Sequence, residues 1–264
     1  MQGFGETVII MVMPTFLDKL TAKWNEGKFV CIGLDNSDFE FNRNIIDQTF
    51  DLVATYKPNS AFYEEKGAQG WEALKKTIDY IRQKDPTIPI ILDAKRGDIG
   101  NTNEAYAKAV FDDLQADAVT IHPYLGKEAM EPFLQRTDKG IIVLVRTSNP
   151  CAGEFQDLRI DNKPLYQVIA EHVAKDWNTN GNCAVVVGAT YPEELKKVRE
   201  IVGDMPILVP GIGTQGGNLQ AVLENGLNSK KQGLIISSSR GIIFAPNPRE
   251  ATLNLHQEIV SLLK

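Results

Sequence analysis

The stretch Leu92-Asp93-Ala94-Lys95-Arg96-Gly97-Asp98-Ile99-Gly100-Asn101-Thr102 decides how the chain is read, because it follows the aliphatic run Pro89-Ile90-Ile91 without a break. A short apolar run bounded by proline predicts a buried strand of a parallel sheet. Residues i and i+2 of a strand face the same way, so the Asp93 carboxylate and the Lys95 ammonium are expected on one face at the carboxyl end of that strand. Barrel and open α/β enzymes keep their chemistry at that end. Gly97 and Gly100 loosen the backbone beyond, so Asp98 can turn back toward the same point or reach a neighbouring subunit. Adjacent surface charges usually form solvated pairs that contribute little. Directly behind a buried strand, they point instead to a functional cleft, where carboxylates keep the lysine charged against the opposing effect of burial.

Further apolar runs at 29–35, 52–57, 118–123, 140–146, 184–188, 206–210 and 233–238 read as strands. Amphipathic spacing predicts helices over 15–25, 42–50, 71–84, 102–114, 165–177, 193–202 and 218–224; in the third, Leu74, Ile78 and Ile81 recur at helical spacing. Eight strands in alternation with helices predict a (β/α)8 TIM barrel rather than a doubly wound sheet. The 264 residues suit one such domain, and no linker, repeat or low-complexity run divides them. The barrel is therefore expected over residues 14–264, with 1–13 as an extension of uncertain origin. Its apolar run Val8-Ile9-Ile10-Met11-Val12-Met13 is too short for a membrane span or signal peptide, and translation could equally begin at Met11 or Met13.

A net charge of -6 argues against a nucleic-acid binder or a reader of anionic membranes, both of which need a concentrated basic face. Cys31, Cys151 and Cys183 are odd in number and far apart, which predicts free thiols in a reducing, cytoplasmic setting. His122, His172 and His256 are isolated from them and from one another, so no metal site is expected.

A barrel gathers the carboxyl ends of its strands around one mouth, which would make neighbours of Asp35, Lys57, Asp93 and Lys95. Taken singly, Asp35 reads as a helix cap and Lys57 as a solvated strand end; their recurrence at successive strand ends favours a shared site. Across the mouth, the seventh strand runs into Pro210-Gly211-Ile212-Gly213-Thr214-Gln215-Gly216-Gly217 and the eighth into Ser237-Ser238-Ser239-Arg240-Gly241. Glycines admit an anion to backbone amides and Arg240 supplies a forked donor, the usual phosphate site of the last two barrel loops. A small phosphorylated metabolite would bridge the phosphate site and the charged array.

Asp93-x-Lys95-x-x-Asp98-Ile99-x-x-Thr102, with Gly33-Leu34-Asp35, Tyr56-Lys57-Pro58, Thr147-Ser148-Asn149-Pro150, Pro210-Gly211-Ile212-Gly213-x-Gln215-Gly216-Gly217 and Ser239-Arg240-Gly241, resembles the orotidine 5'-phosphate decarboxylase family. The wording is similar to its longer bacterial-type subfamily, over roughly residues 14–260. The resemblance implies cofactor-free conversion of orotidine 5'-phosphate to UMP and CO2 in pyrimidine biosynthesis, with Lys95 as proton donor. It also implies a charged network of Asp93, Lys57, Lys95 and Asp98, and a homodimer in which Asp98, Ile99 and Thr102 enter the partner's site. Asp35 and Lys57 would hold ribose hydroxyls, Ser148 the pyrimidine edge, and Gln215 and Arg240 the phosphate. Asp-x-Lys-x-x-Asp alone is shared with metal-dependent sugar-phosphate decarboxylases and aldolases on the same barrel. A non-catalytic nucleotide-binding barrel is the alternative from another class.

Overall fold

Aliphatic runs flanked by glycine, proline or charge form eight strands: β1 (Val30–Leu34), β2 (Thr55–Pro58), β3 (Ile91–Arg96), β4 (Ala118–Ile121), β5 (Gly140–Arg146), β6 (Cys183–Val187), β7 (Ile207–Pro210) and β8 (Leu234–Ser238). In the computed structural model, which describes residues 13–213 and 216–263, they are parallel and hydrogen-bonded in the order β2-β1-β8-β7-β6-β5-β4-β3. Single parallel bridges Tyr56↔Ile90 and Asn59↔Asp93 join the two ends of that order. The sheet thus closes into the expected TIM barrel. Every residue of β1, β2, β4, β6 and β8 is buried, as strands must be when helices cover one face and packed side chains fill the other. Each fully buried aliphatic side chain contributes roughly 1.5–3 kcal/mol against the entropy of ordering it.

Eight helical segments, beginning at Phe39–Thr49, Gly67–Lys84, Gly100–Lys108, Gly126–Leu134, Leu165–His172, Pro192–Val202, Leu219–Gly226 and Pro248–Leu263, follow the eight strands in turn. The third and fifth continue through π turns, Ala109–Asp113 and Val173–Trp177, which accounts for the longer helices expected over 102–114 and 165–177. Two of the eight, Gly126–Leu134 and Pro248–Leu263, fall where the spacing gave no range; the first carries Pro132 in its interior, which reads as a breaker. The second strand begins at Thr55 rather than at 52, because Leu52 is held in a turn by the Thr49 carbonyl.

The first helix, Phe16–Asn25, belongs to no strand–helix pair. Its start is fixed by a capping box between Thr15 and Asp18, and it lies across the amino-terminal end of the barrel. There the Phe16 ring packs against Gly140, Lys19 meets Asp117, and the Trp24 indole donates to the Leu234 carbonyl at 2.8 Å. With that end covered, the carboxyl end of the barrel opens on a cavity. The apolar run within the extension falls almost wholly in residues 1–12, outside the described residues.

Candidate active site

Asp93 is buried at the carboxyl end of β3 between two lysines. Lys57 Nζ, from the end of β2, donates to Asp93 Oδ2 at 3.0 Å, and Lys95 Nζ donates to Oδ1 at 2.7 Å. The Thr120 hydroxyl on β4 donates to Oδ1 at 2.8 Å, and Asn59 Nδ2 lies 3.5 Å from Oδ2. Burial alone would raise the Asp93 carboxyl, but the Lys57 and Lys95 charges, with hydrogen bonds from Lys95 and Thr120, outweigh it and hold the group well below the usual carboxylate range. Burial likewise opposes the charge on Lys57, and the Asp93 and Asp35 carboxylates more than reverse it, keeping Lys57 an ammonium. Beneath them, burial pushes the Cys31 thiol up to about 12, so it adds no charge to the network.

Asp93 and Lys95 converge, yet not through the plain pleat of a strand. β3 pairs with β4 at Leu92↔Val119 and again at Arg96↔Ile121, so Asp93, Ala94 and Lys95 stand opposite the single residue Thr120. Within this bulge Lys95 adopts φ +45°, a left-handed conformation that residues with a side chain rarely take. The bulge turns the half-exposed Lys95 side chain into the barrel mouth.

On the β1 side, the Ser239 hydroxyl donates its proton to Asp35 Oδ2 at 2.6 Å and lies 3.1 Å from the Gly33 carbonyl. A Cβ on Gly33 would lie 2.8 Å from Ser239 Cβ, so only glycine admits this approach. Asp35 Oδ1 is buried without a hydrogen-bond partner, an acceptor free for a ligand hydroxyl. After β5, Ser148 reaches the mouth by crossing Gly188, where a Cβ would meet Ser148 Cα at 2.9 Å. Gly211 and Gly213 take φ +104° and +86° in the loop after β7, and Arg240 opens the short helix Arg240–Ile243 after β8. Asp35, Lys57, Asp93, Lys95, Ser148, Gly211 and Arg240 line one cavity of about 770 Å³. That volume suits a small metabolite carrying one phosphate.

Residues 28–255 match the model of the Orotidine 5'-phosphate decarboxylase / HUMPS family. The chain belongs to this family. It is 44% identical over 254 residues to the orotidine 5'-phosphate decarboxylase of Cupriavidus metallidurans, covering 90% of this chain and 93% of the relative. It is 46% identical over 246 residues to that of a Janthinobacterium species, covering 88% and 90%. Among solved structures, the OMP decarboxylase of Leishmania donovani superposes with a TM-score of 0.89 at 39% identity, over 94% of this chain and 98% of that one.

For a member of the orotidine 5'-phosphate decarboxylase family, the sequence-derived site divides in two. Asp35, Lys57, Asp93, Lys95, Ser148 and Arg240 come together on one cavity. Asp98, Ile99 and Thr102 do not line it: the Asp98 carboxylate caps the Ile99 amide at 2.7 Å, and Ile99 points into solvent. Gln215 lies outside the described residues. The sequence reading passed over Thr120, Asn59 and Ser239 as ligands of the two acids. Asn59 follows Lys57 by two residues, which is a usable signal; its carbonyl oxygen caps the helix Ser60–Glu64 while its amide nitrogen approaches Asp93. Thr120 sits in an ordinary strand sequence, Ala-Val-Thr-Ile, and carries none.

Proposed function

We propose that this chain converts orotidine 5'-phosphate to UMP and CO2 in pyrimidine biosynthesis, using its own side chains and no cofactor. The observation that carries the reading is one buried carboxylate, Asp93, bridging two lysines in the cavity that also holds Arg240. Arg240 with the loop after β7, including Gln215, would bind the phosphate; Asp35 and Lys57 the ribose hydroxyls; Ser148 the pyrimidine edge. The substrate carboxylate would then lie against Asp93. As its bond to the ring breaks, the electron pair stays on the ring carbon and CO2 departs. Lys95 Nζ gives that carbon a proton and is later recharged from solvent. A ring carbanion is poorly stabilised in water, so the catalytic benefit comes from ammonium groups already fixed where the charge develops. Phosphate binding, remote from the reacting carbon, offsets the repulsion between Asp93 and the substrate carboxylate.

Residues 14–264 act in this reading as one catalytic domain. The protein works as a homodimer in the cytoplasm, with Asp98, Ile99 and Thr102 completing the partner's site. Three apolar side chains at that rim support the dimer: Ile99 is 60% exposed, Tyr124 84% and Leu125 44%. Gly97 packs directly over the His122 ring, which brings the two rim loops together. The three cysteines are free, and no helix among the described residues is long and apolar enough to cross a membrane.

The test is the fall in absorbance of orotidine 5'-phosphate on adding purified protein in EDTA, with UMP and CO2 measured in equal amounts. Activity abolished by EDTA would point to the metal-dependent branch of the family instead. Tight UMP binding without release of CO2 would make the barrel a nucleotide sensor.

A further inference from the structure

We propose that Thr120 is a positioning residue for the reaction: its hydroxyl fixes the backbone of Lys95 and the carboxylate of Asp93 together, so that the Lys95 ammonium is aimed before substrate arrives. The inference rests on the reading of Lys95 as proton donor.

The starting point is the bulge. Three residues of β3 face Thr120 alone, so the ladder that would ordinarily satisfy the Lys95 amide is out of register there. The Lys95 N–H donates instead to Thr120 Oγ1 at 3.0 Å. A hydroxyl has one proton to give. Since Asp93 is held ionised it can only accept, so the single Thr120 proton is directed to Asp93 Oδ1, 2.8 Å away. The polarity of the relay is thereby set: Lys95 amide to Thr120 oxygen, Thr120 proton to Asp93.

The same oxygen, Oδ1, receives the Lys95 Nζ at 2.7 Å. Lys95 is therefore tied at both ends, its backbone directly to Thr120 and its ammonium through an oxygen that Thr120 orients. Such a tie matters because φ +45° is disfavoured for lysine and persists only where surrounding contacts over-determine it. Thr120 is well placed to impose it. It is 1% exposed, and its own strand is paired on the far side through Thr120↔Ile142, so the hydroxyl has a rigid mount. It also holds Asp93 against turning away when a second carboxylate, that of the substrate, comes near.

The experiment compares Thr120→Val, which keeps the volume and deletes the hydroxyl, with Thr120→Ser, which keeps the hydroxyl and deletes a methyl. Misplacement of a reacting group by about 1 Å can reduce rate about 100-fold, so T120V is expected to lose about 100-fold in kcat with KM within about threefold of wild type. T120S is expected to stay within about fivefold in kcat, because the donor and acceptor are both retained. Hydrogen exchange supplies a readout independent of turnover: the Lys95 amide should exchange faster in T120V and at the wild-type rate in T120S. A folded T120V with wild-type kcat, or a T120S that falls as far as T120V, overturns the proposal, since packing and not the hydroxyl would then be what matters. Should T120V fail to fold, Thr120→Cys takes its place; a thiol is a weak donor and acceptor, and T120S must then exceed it about tenfold in kcat, equal rates overturning the idea. The decarboxylase reading fails separately, if wild-type protein releases no CO2.

Discussion

The two ends of the barrel both bury lysine–aspartate pairs, and they do opposite things with them. At the amino-terminal end, Lys19 Nζ meets Asp117 Oδ1 at 2.7 Å while Oδ2 accepts the Ile90 amide at 2.9 Å, and Lys23 Nζ reaches Asp85 at 3.1 Å and the Thr87 hydroxyl at 2.8 Å. Asp117 also lies 3.7 Å from the Arg82 guanidinium, and the hollow of about 230 Å³ at that end is lined by other groups, among them Thr15, Asp18 and Lys139. At the carboxyl end one carboxylate serves two lysines, one of them half-exposed to a cavity three times as large. Burial and pairing are therefore common to a latch and to a reaction site. What separates them is access: Lys19 and Lys23 are sealed by their surroundings, whereas Lys95 opens on a space that a substrate can fill.

Substitutions at the two ends break this comparison in different quantities. The largest effect belongs to Lys95→Ala. Removing the proposed proton donor and a fixed charge together should lower turnover by about 10,000-fold or more, with UMP affinity nearly unchanged. Steady-state assays beside calorimetric titration with UMP check both halves, and near-normal turnover would refute the role given to Lys95. Next comes Lys19→Met at the other end. Losing one member of a buried pair strands its partner, so stability should fall by about 3 kcal/mol in denaturant titrations while kcat stays at the wild-type value. A loss of kcat in folded K19M would mean that the closed end is not a mere latch.

A smaller effect, of a different kind, is expected across the mouth. In the proposed function Arg240→Ala deletes charged hydrogen bonds to a phosphate that does not itself react, so KM should rise about 10- to 100-fold with kcat changed little. Unchanged KM would remove Arg240 from phosphate binding. Paired with K95A, this variant splits the cavity into a side that binds and a side that reacts.

The contrast between the ends was only half legible in the sequence. Strand order and the mouth residues could be read because each strand is an aliphatic run punctuated by glycine or proline, and Asp35, Lys57, Asp93 and Lys95 stand at the ends of such runs. Lys19, Lys23 and Asp117 could not, since a single lysine on an amphipathic helix looks like any solvated face until the helix is laid across the barrel. The bulge at Lys95 was hidden for a related reason: it is a mismatch between β3 and β4, a property of pairing that neither strand carries by itself. Ile99 was identified as a site residue from the resemblance alone, and Asp98 also from the glycines that flank it; neither lines the cavity of this chain.

The smallest expected effect sharpens the comparison through pH. His256, on the C-terminal helix Pro248–Leu263, has Nδ1 buried without a partner; burial first, and the Lys28 charge second, push its pKa below 6.5. A histidine whose folded value is depressed favours the neutral form, so the stability tied to it is present above about 6.5 and is lost as pH falls through the folded value. Asp93 is depressed as well, but its window lies below the ordinary carboxylate value of about 3.9, and that of Lys57, which is raised, lies above about 10.4. Between pH 7.5 and 5.5 the charged network should therefore contribute a constant amount, while His256 contributes a slope. Denaturant titrations at the two pH values should show wild-type protein losing stability on acidification and His256→Gln losing less, with the same kcat for both. Identical slopes would mean that the histidine is not the group responsible. A change in kcat would mean that the C-terminal helix reaches the chemistry after all.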